Sequence, residues 1–90
     1  MNNTGKYVKH GLTYSRVRNI WKGMMRRCYN PNMRNFEFWG GRGIKVCQRW
    51  HDLRNFVADM GHPPAKMCLE RIDNDGNYEP SNCCWTTQKQ

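Results

Sequence analysis

The cysteines are what most constrain this chain. Five of them (Cys28, Cys47, Cys68, Cys83 and Cys84) sit in 90 residues, and the mean hydropathy is −0.99. A chain of this size buries only about two-thirds of the surface its unfolded form exposes, so its apolar core is marginal unaided. Domains of this kind are usually held by disulfides or by a metal ion. Aromatic residues make up 12% of the chain, four of them Trp, which argues for a folded core and against disorder. The segment Met1–His10 is polar, and nowhere does a basic start lead into an apolar run and a small-residue cleavage site. No apolar stretch approaches the ~20 residues needed to cross a bilayer. The expectation is a soluble, intracellular protein with no membrane association, where thiols stay reduced and cysteine clusters more often bind metal. The odd cysteine count points the same way, with disulfides as the alternative.

Charge narrows the partner. Lys and Arg number 15 against seven Asp and Glu, a formal charge of +8. Such density on one small domain points to a polyanion, usually nucleic acid, rather than to solubility alone. The bases are spread through the chain with aromatics between them, as in a binding face and unlike a tail. Arg16, Arg18, Lys22, Arg26, Arg27, Arg42 and Lys45 are the candidate contacts to DNA, mainly to its phosphates.

There are no repeats and no linker long enough to divide two domains. Residues 1–9 read as a flexible arm and 10–90 as a single domain. Val17, Ile20, Trp21, Met24, Met25 and Cys28 recur at helical spacing, predicting a helix from Thr13 to Cys28 that is capped by Thr13 or Ser15 and stopped by Asn30-Pro31. Gly40-Gly41-Arg42-Gly43 is a turn that needs positive φ or close backbone approach. A phosphate cradle is the less favoured reading of it. A short strand Ile44–Cys47 follows, then a second amphipathic helix over Trp50, Leu53, Phe56, Val57 and Met60, stopped by Gly61 and Pro63-Pro64. Cys68–Ile72 and Cys83–Thr86 read as antiparallel strands around the turn-rich loop Asp73–Asn82. Thr87 with Gln90 three residues on makes a capping-box start to a helix.

A strand, an Asp/Asn-rich loop closing on Asn, a strand and a helix make the order of the ββα-metal motif. Leu69-Glu70-Arg71-Ile72-Asp73-Asn74-Asp75-Gly76-Asn77-Tyr78-Glu79-Pro80-Ser81-Asn82-Cys83 resembles the phage-type HNH (ββα-metal, His-Me finger) endonucleases. The resemblance extends upstream through His10-Gly11-Leu12, Trp21, Met24, Arg27-Cys28-Tyr29-Asn30-Pro31, Gly40-Gly41-Arg42-Gly43-Ile44, Val46-Cys47, Trp50, Phe56 and Asp59-Met60. It covers nearly the whole chain from His10.

The resemblance implies an α+β fold: a small zinc-stapled domain with two helices and a C-terminal ββ(α)-metal hairpin over 68–90. It puts His10, Cys28, Cys47 and Cys83 at the positions of a structural Cys₃His zinc site, with His51 and His62 as substitutes for His10. It puts Glu70, one methylene longer than the usual Asp, at the ligand of a catalytic Mg²⁺ or Mn²⁺. Arg71 stands where the family has a histidine base. Arginine stays protonated, so it serves as a phosphate clamp instead. A rarer version of the fold, in a rare-cutting restriction enzyme, carries the same acid–Arg pair and a Tyr seven residues later in place of the base. Tyr78 falls there, and Asn82 falls at the loop-closing Asn. The family's last metal ligand belongs near position 91, so it is lost, lies further along the chain, or comes from a partner. The function expected is metal-dependent cleavage of double-stranded DNA by a phage-encoded protein in the bacterial cytoplasm. The alternative is a catalytically degenerate DNA- or protein-binding module, such as a phage counter-defence inhibitor.

Overall fold

The structure, a computed structural model, describes residues 4–87, with side chains described from residue 15 onward. Helix α1 runs Thr4–Tyr29. It begins well before Thr13 or Ser15, so residues 4–9 of the expected arm are helical. Positions 1–3 lie outside the described residues. Glycines are the weakest formers in that stretch, each costing a helix ~1 kcal/mol against alanine, and no proline occurs before Pro31. Nothing local therefore stops the helix until Asn30-Pro31. The stripe expected on it is inward: Val17, Met24 and Cys28 are buried, with Trp21 and Met25 packed beside them.

The chain then folds back in two 3₁₀ turns, Phe36–Phe38 and Gly40–Arg42. Gly40 is the point of closest approach, since a Cβ there would lie 2.0 Å from the Cys28 carbonyl oxygen. Gly43, at φ 98°, turns the chain out of it. Both requirements read from the glycine run are thus met by backbone packing onto the end of α1.

Ile44–Cys47 is a correction. It forms no strand, only a single parallel bridge between Val46 and Tyr78. Its partner is the turn-rich loop, which meets it at one residue: Cys47 N donates to Tyr78 O (2.9 Å) and Tyr78 N to Lys45 O (2.8 Å). The second helix is also divided. A 3₁₀ turn, Gln48–His51, precedes α2, Leu53–Met60. Asp52 separates them in extended conformation, its side chain capping α2 by accepting from Arg54 N at 2.9 Å.

Strands β1 (Met67–Arg71) and β2 (Cys83–Thr87) pair antiparallel, with Arg71 opposite Cys83, Glu70 opposite Cys84 and Leu69 opposite Trp85. Alternation turns Leu69, Arg71, Cys83 and Trp85 toward the core and leaves Glu70 exposed. The helix expected to start at Thr87 lies mostly outside the described residues. The core rests on a few large rings. Phe56 meets Trp50 edge-on at 4.9 Å and Trp85 at 6.3 Å. Each of three indole N–H groups has an acceptor at 2.8 Å: Trp50 O for Trp21, Asp59 Oδ2 for Trp50 and Met60 O for Trp85. The result is a small α+β domain of two helices and a two-stranded antiparallel sheet. Among the described residues no helix is long and apolar enough to cross a membrane.

Candidate active site

The loop joining the strands is built by two side chains. Asn82, buried, accepts from Asp73 N (2.8 Å) and donates to Asp73 O (3.2 Å) and Asn77 O (2.9 Å). It closes the loop and takes no place in the groove beside it. Arg71, 7% exposed, donates through Nη1 to the carbonyls of Asn74 and Gly76 and through Nη2 to Asn74 Oδ1. Much of its guanidinium fork is thus occupied by the loop.

Tyr78 is fixed by the Val46 bridge and is 2% exposed. Its ring lies nearly parallel to that of Trp39, centroids 6.4 Å apart. Both Arg27 and Arg71 sit against this pair: Arg27 Cζ is 5.1 Å from the Trp39 centroid and 5.8 Å from Tyr78, and Arg71 Cζ is 4.8 and 5.2 Å from the same rings. Arg27 Nε also donates to Tyr78 Oη at 3.2 Å. Ion pairs among the described residues join Arg42 to Asp75, Arg49 to Asp59 and Arg54 to Asp52. Neither arginine against the rings belongs to one. An open cavity of about 480 Å³ lies here, lined by Arg27, Trp39, Glu70, Arg71, Asn74 and Tyr78 among others. The ring faces hold two guanidiniums that no carboxylate neutralises among the described residues, a positive charge that favours an anion in the groove, and Glu70 offers carboxylate oxygens to a hard cation at its edge. Trp39 has no chemical motif of its own, and only its place before Gly40-Gly41 hinted at it.

The cysteines gather in part. Cys28 and Cys83 are buried in one core with Cys47 packed against it, and all five cysteines are free thiols. Burial pushes the thiols of Cys28 and Cys83 up to about 11, against the opposing charge of Arg71. Cys47 lies near enough to Cys83 to raise it further. His10 lies on α1 eighteen residues before Cys28, and its side chain lies outside the described ones. His51 Nε2 lies 3.2 Å from Val46 O and 3.4 Å from Tyr29 Oη, and His62 is exposed. Among the described residues, no group of three or more His, Cys, Asp or Glu is set to hold a metal ion. Cys28, Cys47 and Cys83 thus share one core without forming a metal-holding group among the described residues.

The seven candidate DNA contacts divide by what their charges already hold. Arg16 donates to the carbonyls of Pro63 (3.0 Å), Pro64 (3.1 Å) and Met67 (2.6 Å), tying α1 to the entry of β1. Arg42 bonds Phe38 O, Asn74 O and Asp75, tying the glycine turn to the loop. Arg18, Lys22 and Arg26 are exposed at four-residue spacing, one stripe along α1, and Lys45 is exposed beside the bridge. Like charges at that spacing repel, and an external polyanion relieves the repulsion. Compared with protein-family models, curated proteins and solved structures, the chain has no match.

Proposed function

We propose that this chain is a metal-dependent, HNH-like DNA endonuclease that hydrolyses phosphodiester bonds in double-stranded DNA. The observation that supports it best is that one groove is lined by Glu70, Arg71 and Tyr78 together with Arg27, and among the described residues neither guanidinium is in an ion pair. In this reading Glu70 is the protein ligand of a Mg²⁺ or Mn²⁺ ion, which when bound supplies Lewis-acid charge at the scissile phosphate. Tyr78 contributes the phenol at the reacting centre, Arg71 its field and its hold on the loop, and Asn82 the loop's closure. The stripe Arg18, Lys22 and Arg26 grips the backbone. Incubation with supercoiled plasmid and Mg²⁺ or Mn²⁺ is the test. Nicked circles are expected, lost in EDTA and lost in the double variant Glu70→Ala, Tyr78→Phe. Nicking that persists in EDTA, or in that double variant, rules the reading out.

A structural zinc on Cys28, Cys47 and Cys83, with His10 as the fourth ligand, is part of the proposal, supported by the position of the three cysteines on separate segments of one core. When bound, it adds a cross-link that a thin core lacks. One zinc per chain, released by chelator with loss of stability, is the expected result. Zero zinc in protein purified without chelator refutes it.

A second reading is a binding module without catalysis, acting on DNA or a protein partner. Two observations favour it: Tyr78 is 2% exposed and Arg71 is committed to loop carbonyls. DNA binding of steep salt dependence, with no cleavage in any divalent ion, selects it.

A further inference from the structure

Helix α1 and the strand-joining loop meet in a polar contact across 51 residues, Arg27 Nε to Tyr78 Oη. With Nε so placed, both terminal nitrogens of Arg27 remain. They carry four N–H donors, and among the described residues none has an acceptor. Nη1 lies over Gly23, where an added Cβ would come within 3.5 Å of it, so the side chain folds back along the helix with its Cζ over the Trp39 and Tyr78 rings. The residue is half-buried and lines the groove. Arg71 differs on each point, being buried with Nη1 and Nη2 bonded to the loop. A planar guanidinium with both ends free matches two phosphate oxygens at once. The Tyr78 oxygen, already accepting from Arg27, has its own proton directed elsewhere.

We propose that Arg27, from helix α1, is the phosphate fork of this groove and the positioning residue for Tyr78, the clamp that the resemblance assigns to Arg71. The proposal rests on the reading of the groove as a phosphodiester site. It places one reacting element on α1, so that the helix carrying the cation stripe also sets where the bound backbone meets Tyr78.

The test uses the full chain with a fluorescent 20-base-pair DNA duplex. Affinity is read by anisotropy in EDTA, and single-turnover nicking at saturating protein in Mn²⁺. Arg27→Gln is expected to slow saturated nicking roughly 100-fold, as loss of one preorganised donor does. Arg34→Gln, removing an exposed cation away from the groove, leaves that rate unchanged. Arg27→Lys recovers only part of the loss, because a point charge replaces a fork, and its thermal melt checks that the fold is intact. In a Tyr78→Phe background, Arg27→Gln is expected to cost less than about 10-fold, since residues acting as a unit are not additive. Equal costs in the two backgrounds overturn the positioning role, and an unchanged saturated rate overturns the fork. If the wild-type chain binds DNA without nicking it, the nuclease reading fails. The fork is then judged on affinity, where a loss for Arg27→Gln at least about 10-fold beyond that for Arg34→Gln supports it and equal losses overturn it. A chain that neither binds nor nicks overturns both.

Discussion

Asp59 shows how one carboxylate serves both surface and core. Its Oδ2 and Oδ1 accept from Arg49 Nε (2.7 Å) and Nη2 (2.9 Å), and Oδ2 also accepts from the indole of fully buried Trp50. The Arg49 hydrogen bonds, then the Trp50 one, hold the Asp59 carboxyl down to about 2 from an ordinary 3.8. A carboxyl depressed in the folded state contributes stability that is present above its unfolded value and lost as pH falls through the folded one. Urea midpoints measured from pH 7 to pH 2 should therefore drop between about 4 and 2 in the wild-type chain. Asp59→Asn should be less stable at neutral pH and show a shallower acid limb, and two parallel limbs would sink this account. Phe56, fully buried between Trp50 and Trp85, is the apolar counterpart. Phe56→Ala should cost about 3–5 kcal/mol by urea unfolding, much of the total stability of a domain this small.

At the scale of elements, the loop of residues 72–82 is the piece whose order the site depends on most. Asn82→Ala deletes three hydrogen bonds and leaves the partly buried Asp73 N–H without an acceptor, so a loss of about 1–3 kcal/mol is expected. Amide exchange should quicken at Asp73, Asn77 and Tyr78 while α2 is unaffected, and uniform quickening along the chain would contradict a local role. This loop and its two strands were legible in the sequence because turn formers and alternation are local signals, as was the buried stripe of α1. The divided second helix was less so: the apolar spacing over Trp50–Met60 is helical throughout, and the break at Asp52 was not foreseen. The strand expected at Ile44–Cys47 failed because its neighbour is a loop, a fact fixed by residues more than thirty positions away. Trp39 against Tyr78 and Arg16 on Pro63, Pro64 and Met67 are likewise long-range contacts. No periodicity reports them. The zinc set was inferred from a likeness, and the side chain of its histidine lies outside the described ones.

Across the whole molecule, the formal charge of +8 overstates what is free to meet a polyanion, because Arg16 and Arg42 serve as internal ties. Arg18, Lys22, Arg26, Arg27 and Lys45 are the candidate cations outside those ties. If each neutralises one phosphate, log K for duplex DNA should fall with log salt at a slope near −4.5, about −0.9 per contact. Replacing Arg18, Lys22 and Arg26 together by Gln should flatten that slope by about 3 and weaken binding uniformly across sequences. Arg16→Gln should behave oppositely. It should leave the slope unchanged and lower the melting temperature, because it frees three carbonyls at the junction of α1 with β1. Anisotropy titrations between 50 and 200 mM salt, paired with thermal melts, separate the two classes of arginine. A change of slope in Arg16→Gln as large as that from any single stripe residue would show that the internal tie opens to DNA. The division of charges into ties and contacts would then have to be redrawn.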